Sequence, residues 1–280
     1  AYFALASADS RKVLQSERRG TLFVDSQRKL NFYLRALWGR DFFMRPTAGD
    51  YETREGLKPY IEGGFIHVPD AYDEAGGLSG LELYRAACAH AAAHIQYTYE
   101  PISAEALNPA QMFLIGLFED ARVEQRCIEW FPGLQALWIQ LHGVSLADSA
   151  YEPERVVQRL ERLSLALLDS TRLAHEEDPV IVELGRDFQR RYPAEKDGGK
   201  LAWELGVQLY HRLRQDGQLA SLRVLQSLRI PYRDDNRYSW EFAERTWTAA
   251  DLIPPVEHQV RRKVNVIEMV NELDVEFAGD

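Results

Sequence analysis

A chain of 280 residues is long enough for one large domain or two smaller ones with a sizeable core, and its apolar content is that of an ordinary globular protein. A formal charge of −10 argues against a general nucleic-acid binder, which must neutralise phosphates, and no apolar run approaches a membrane span. Two cysteines, Cys88 and Cys127, are too few for a disulfide framework, so a reduced, cytoplasmic setting is expected.

The opening residues 1–12 lack a basic region followed by an apolar core, so no signal peptide is expected. The absence of an initial Met and the acidic end suggest a piece of something longer. Asp25 is positioned to cap a helix over residues 27–38, with apolar Leu30, Phe32, Leu34 and Leu37. Gly and Pro then mark a loop through Arg45-Pro46. Phe65-Ile66-His67-Val68, preceded by Gly63-Gly64, is β-prone and reads as a strand. Ser79 can cap a helix running to about residue 97. Asn108-Pro109 combines a capping side chain with Pro at the first helical position, and opens a helix to about residue 129. Phe131-Pro132-Gly133 ends it and opens another, through residue 141. Glu152-Pro153 and Asp178-Pro179 each start a further helix. Residues 198–216 and 218–230 read as an antiparallel helical pair, and Arg233-Asp234-Asp235-Asn236-Arg237 as a polar turn. After Pro254-Pro255 the periodicity weakens, and residues 271–280 read as the start of an acidic linker.

The expected fold is mainly α, with a small β-sheet near residues 20–70. The expected organisation is a mixed α/β half at 1–147, an all-helical half at 148–270 and a linker at 271–280, with a boundary near 145–153. The basic clusters Arg18-Arg19, Arg190-Arg191 and Arg261-Arg262-Lys263 read as solvated surface. The aromatic group Tyr238, Trp240, Phe242 and Trp247 reads as core.

Chemistry concentrates in Cys88-Ala89-His90-Ala91-Ala92-Ala93-His94. Four-residue spacing puts His90 and His94 on one helix face, about 5–6 Å apart at Cβ, where both can bind one Zn²⁺. A second helix carries Phe118-Glu119-Asp120-Ala121-Arg122-Val123-Glu124. Antiparallel packing would bring Glu119 or Asp120 beside the histidines, and the expected ligand set is His90, His94 and Glu119. Asp120, Arg122 and Glu124 are expected to form a buried ion-pair network. Strand, His-x-x-x-His helix and acidic helix follow in the order of a zincin metalloprotease. The general base of H-E-x-x-H is missing, however, because that position holds Ala91, and Glu82 and Glu100 lie outside the required turn. Three readings stand side by side: a metal-free network, a vestigial structural zinc, or a zinc metallopeptidase-like hydrolase. Cys88 and Cys127 read as small core residues rather than ligands. His67, in the predicted strand, reads as a surface or satisfied residue; His142, His175, His211 and His258 have no ligand-spaced partner, and no Walker A, dinucleotide-binding, G-x-S-x-G or C-x-x-C motif occurs, so no cofactor is expected beyond that zinc.

The run Tyr84-Arg85-Ala86-Ala87-Cys88-Ala89-His90-Ala91-Ala92-Ala93-His94, followed by Ile115-Gly116-Leu117-Phe118-Glu119-Asp120-Ala121-Arg122-Val123-Glu124, resembles the CbbO/NorD family. So do Tyr33-Leu34-Arg35-Ala36-Leu37-Trp38, Pro59-Tyr60-Ile61-Glu62 and Ile66-His67-Val68-Pro69-Asp70. The resemblance is close over residues 1–145 and looser beyond, and residues 2–11 with Leu37-Trp38-Gly39-Arg40-Asp41 bring the chain nearest to CbbO. The family implies a non-catalytic adaptor that pairs with a hexameric MoxR-type AAA+ ATPase (CbbQ-like) and reaches its target through a C-terminal von Willebrand A domain. For CbbO the target is inhibited rubisco, freed of sugar phosphates, in the cytoplasm or at the carboxysome. For NorD it is nitric oxide reductase maturation. No Asp-x-Ser-x-Ser, the core of the A-domain metal site, occurs here, so the chain is expected to be the motor-facing part, with no nucleic-acid or membrane partner.

Overall fold

The computed structural model describes residues 20–47, 58–142, 152–228 and 230–242. The expected half-boundary near 145–153 lies almost wholly outside these residues. So do residues 2–11, Arg18-Arg19, Trp247, Arg261-Arg262-Lys263 and the acidic stretch 271–280.

The described chain is mainly helical with small sheets. It opens with a two-residue strand, β1 (Thr21–Leu22), antiparallel to β5 (Ala71–Tyr72). The chain passes from β1 directly into α1 (Phe23–Trp38), so Asp25 lies within the first turn instead of capping it. The earlier start has a packing cause: Phe23 is buried, and its N–H donates to the Asp70 carbonyl at 2.9 Å, which ties the helix start to the strand pair.

A three-stranded sheet follows, formed by β2 (Phe43–Pro46), β3 (Tyr60–Glu62) and β4 (Phe65–Val68) in the order β2-β4-β3. Strand β2 runs parallel to β4, and β3 runs antiparallel to it. Gly63 and Gly64 take φ of 57° and 80°, the left-handed pair that a two-residue hairpin turn requires. Met44, Ile61, Ile66 and Val68 point inward, and with Phe23, Leu30 and Leu34 of α1 they form one apolar cluster against the next helix.

That helix, α2 (Gly80–Tyr97), starts at Ser79, which exchanges reciprocal capping bonds with Glu82, and ends at the expected residue. Its alanine-rich middle is buried on all sides, because one face meets the sheet and the other meets α3 (Pro109–Trp130). Helix α3 is capped in the same manner by Asn108 and Gln111, with Pro109 at its first position. Around α3 lie α4 (Gly133–His142), α5 (Glu152–Leu168), a 3₁₀ turn (Ser170–Ala174), α6 (Pro179–Glu195) and α7 (Lys200–Gln215). A larger apolar cluster runs from Leu78 to Tyr232, so helices on both sides of residue 150 share one core. Helix α3 crosses α7 closely, where a Cβ on Gly206 would come within 2.5 Å of the Ile115 Cα. Among the described residues no helix is long and apolar enough to cross a membrane.

The helix expected over residues 218–230 shrinks to a single turn, α8 (Leu222–Leu225). Leu225, Leu228, Ile230 and Tyr232 are all buried, and the last two spacings of two residues suit an extended chain, not one helix face. The chain then turns at Asn236, whose φ is 61°, into a 3₁₀ turn (Arg237–Ser239) and β7 (Trp240–Glu241), which pairs in parallel with β6 (Ile102–Ser103). Tyr238 and Trp240 are half-buried and Phe242 is exposed, so only part of the aromatic group joins the core.

Candidate metal centre

Helices α2 and α3 face each other with His90, His94 and Asp120 at the contact, and the turn after α8 inserts Asp234 between them. One oxygen or nitrogen from each of these four buried residues falls within 4.8 Å of all the others. His94 Nε2 lies 3.2 Å from Asp120 Oδ1 and 3.8 Å from Asp234 Oδ1. His90 Nε2 lies 3.7 Å and 3.6 Å from the same two oxygens.

The far side of each imidazole is held by an oxygen. His90 Nδ1 lies 3.2 Å from Glu124 Oε1, and His94 Nδ1 lies 3.3 Å from Thr98 Oγ1. Thr98 in turn donates to Glu119 at 2.8 Å, so its oxygen is left to accept from His94 Nδ1–H. This relay fixes the His94 ring with hydrogen on Nδ1 and the Nε2 lone pair directed at the centre, the orientation typical of metal-binding histidines, while Glu124 flanks the far side of His90.

Glu119, expected as the third ligand, points away from this cluster. Its carboxylate forms a two-pronged pair with Arg122 at 2.8 and 2.5 Å and accepts from Thr98. One residue of helical rotation separates it from Asp120, and that rotation decides which carboxylate meets the histidines. The expected network of Asp120, Arg122 and Glu124 divides in the same way: Asp120 joins the histidines, Arg122 holds Glu119, and Glu124 receives Arg233 at 2.8 and 2.7 Å. Arg122 also donates to the carbonyls of Tyr97 and Lys196, tying the ends of α2 and α6 to α3.

Asp234 and Arg233 come from the segment read as a polar turn. Their only sequence signal is an acidic pair and an arginine directly after the apolar Ile230-Pro231-Tyr232. Gly116 leaves room for the turn, since a Cβ there would meet the Asn236 side chain at 3.1 Å. On the outer side the Arg237 guanidinium lies 4.1 Å over the Tyr60 ring, which stacks on His67.

Electrostatics follow from this crowding. Burial opposes charge on His90, but the carboxylates of Asp234, Glu124 and Asp120 outweigh it and push its pKa up to about 9. Burial likewise opposes charge on Glu124, yet Arg233 and His90 hold it well below the usual carboxylate range. Burial pushes the Cys88 thiol up to about 12, and its sulfur faces Met44 on the sheet side at 3.6 Å. Cys127 is buried and free, and burial pushes its thiol up as well. His142 bonds Tyr232 at 3.0 Å, while His175 and His211 are exposed; His258 lies outside the described residues.

Comparison with protein-family models, with curated proteins and with solved structures found no match. The chemistry of the site therefore stands on its own residues. Two imidazoles and two carboxylates, buried together and oriented from behind, form a donor set suited to a divalent transition metal.

Proposed function

We propose that this chain is the non-catalytic, motor-facing part of an adaptor that couples a MoxR-type AAA+ ring to a protein target, in the manner of CbbO and its rubisco. The resemblance of the paired-histidine and Glu-Asp-x-Arg-x-Glu segments supplies the family. The observation that carries the non-catalytic reading is the place of Ala91. It is fully buried in the apolar cluster with Phe23, Leu30, Met44 and Cys88, on the sheet side of α2. A general base built there would stand among the hydrocarbon side chains of that cluster. The four candidate ligands are at most 4% exposed, which leaves a substrate no approach. Closed sites of this kind serve structure, whereas catalytic zinc keeps an open position. A stiff helical body cross-linked by buried ion pairs suits the transmission of ring motion to a tethered target.

The test is ATP turnover by the cognate MoxR-type ring with and without this chain, together with co-elution on size exclusion. Co-elution with altered turnover is the expected result. Co-elution with unchanged turnover would reduce the chain to a passive tether, and absence of association would sink the motor-facing assignment. Zinc-dependent peptide cleavage by the purified chain would replace the adaptor reading with the metallopeptidase one.

A further inference from the structure

We infer that His90, His94, Asp120 and Asp234 bind one zinc ion, and that this ion fastens the turn carrying Asp234 onto helices α2 and α3. The inference does not depend on the adaptor reading.

Geometry separates this from a plain hydrogen-bonded network. Of the four cross-distances between the imidazole Nε2 atoms and the carboxylates, 3.6, 3.7 and 3.8 Å are too long for hydrogen bonds, and only the 3.2 Å His94–Asp120 pair qualifies. Zinc bonds of about 2.0–2.1 Å in a tetrahedron place ligand atoms roughly 3.3–3.4 Å apart. The four nitrogen–oxygen spacings of 3.2–3.8 Å bracket that value, and all the ligand atoms lie within 4.8 Å of one another, so closure onto an ion needs a modest contraction. Both oxygens of Asp234 and both ring nitrogens of His90 are buried without completing a well-formed hydrogen bond. Buried polar atoms almost always find partners, so a convergent unsatisfied set points to a ligand.

Charge points the same way. Glu119, Asp120, Glu124 and Asp234 bring four negative charges into the buried layer, and Arg122 and Arg233 bring two positive ones. Metal binding requires neutral imidazoles, and with both neutral these six groups leave −4 + 2 = −2, which one divalent cation cancels. Mixed imidazole and carboxylate donors disfavour Ca²⁺ and Mg²⁺, which take oxygen ligands, and four buried protein donors suit four-coordinate zinc. Cys88 is on the opposite face of α2, so no thiolate takes part.

The consequence is mechanical. Asp234 stands 114 residues from Asp120 (234 − 120) in the sequence and reaches the centre from a short turn, not from a helix. Metal binding and the docking of residues 230–242 are then one event, since ligands that meet only in the folded chain make binding energy into folding energy.

The full chain is stripped of metal with a chelator, then titrated with Zn²⁺ and with Co²⁺ as a spectroscopic stand-in. We expect one zinc per chain, intense visible d–d absorption of tetrahedral Co²⁺, no thiolate-to-metal charge-transfer band, and a thermal midpoint that climbs with added zinc. Asp234→Asn should weaken zinc binding by at least roughly a hundredfold and abolish the zinc-dependent rise, taking the upper end of what ligand-supporting changes cost as a floor. Cys88→Ala should leave the cobalt spectrum unchanged. If the native chain binds neither ion, or if Asp234→Asn binds as tightly as the native chain, the inference fails. The native-chain titration decides the matter even where the Asp234 variant does not fold.

Discussion

Replacing Arg122 tests whether the buried ion pairs cross-link the helices. Arg122 is 1% exposed and uses its guanidinium on three partners: Glu119 twice, the Tyr97 carbonyl at 2.9 Å and the Lys196 carbonyl at 2.7 Å. Arg122→Met leaves a buried carboxylate without its cation and two carbonyls at helix ends without a donor. Breaking such a pair from one side costs about 3–5 kcal/mol, mostly through the stranded charge. At roughly 2–4 °C per kcal/mol for a domain of this size, the thermal midpoint should fall by about 6–20 °C. Arg122→Lys should recover less than half, because an ammonium cannot reach three partners in one plane. Arg122→Met with Glu119→Met removes both charges and should lose about 2–3 kcal/mol less than the two single losses added together. Acid gives a signed check. In the native chain burial opposes charge on Glu119, but Arg122 outweighs it and lowers the pKa below the ordinary 4.5. Its contribution is thus full above 4.5 and lost as pH falls through the lowered value. Without Arg122 the carboxylate protonates readily, so the native-to-variant gap should narrow on acidification. Urea unfolding followed by tryptophan fluorescence reads all of these. A loss below about 1 kcal/mol for Arg122→Met, or strict additivity in the double variant, would refute the cross-link.

Gly206→Val should lower stability by at least about 2 kcal/mol, measured by urea midpoint, because its side chain meets Ile115 backbone that cannot swing aside. Ala91→Glu should destabilise the chain by several kcal/mol, or prevent folding, by placing a carboxylate in the apolar cluster, and should yield no zinc-dependent peptidase in a fluorogenic peptide assay. Burial, with Arg233 and Arg172 adding to it against Glu124, pushes His142 down to about 3 from 6.5. The unfolded chain therefore takes up that proton first, and the His142 contribution is full above pH 6.5 and fades as pH falls toward 3. His142→Gln should flatten the stability–pH slope between pH 6 and 4 by up to about 1.4 kcal/mol per pH unit. An unchanged slope would mean that His142 takes up its proton as readily in the folded chain as in the unfolded one.

Local signals were well written in the sequence. The Ser79–Glu82 and Asn108–Gln111 caps placed α2 and α3 because reciprocal capping depends on residues three apart. Gly63-Gly64 marked the start of the strand at residues 65–68, because paired glycines admit the left-handed turn that precedes it. Helix spacing likewise put His90 and His94 side by side. The choice between Glu119 and Asp120 was not legible, since both are compatible with an antiparallel partner until the rotation of α3 about its axis is known. Asp234 was less legible still. It belongs to the centre through a non-local contact, and a polar turn on the surface has the same composition as one turned inward. The short α8 fails the helical reading because burial of Ile230 and Tyr232 overrides a favourable local pattern.

A centre assembled from residues 90 and 234 also orders events during synthesis. When α2 and α3 first leave the ribosome, Glu124 and Asp120 have neither Arg233 nor Asp234 beside them, and two imidazoles face an incomplete site. The N-terminal half can gather its apolar faces early, but its polar layer closes only once the final turn has emerged. A nascent or truncated chain ending before residue 232 therefore exposes water-seeking carboxylates in the seam that the finished protein keeps dry, and quality-control proteases would find their opening there.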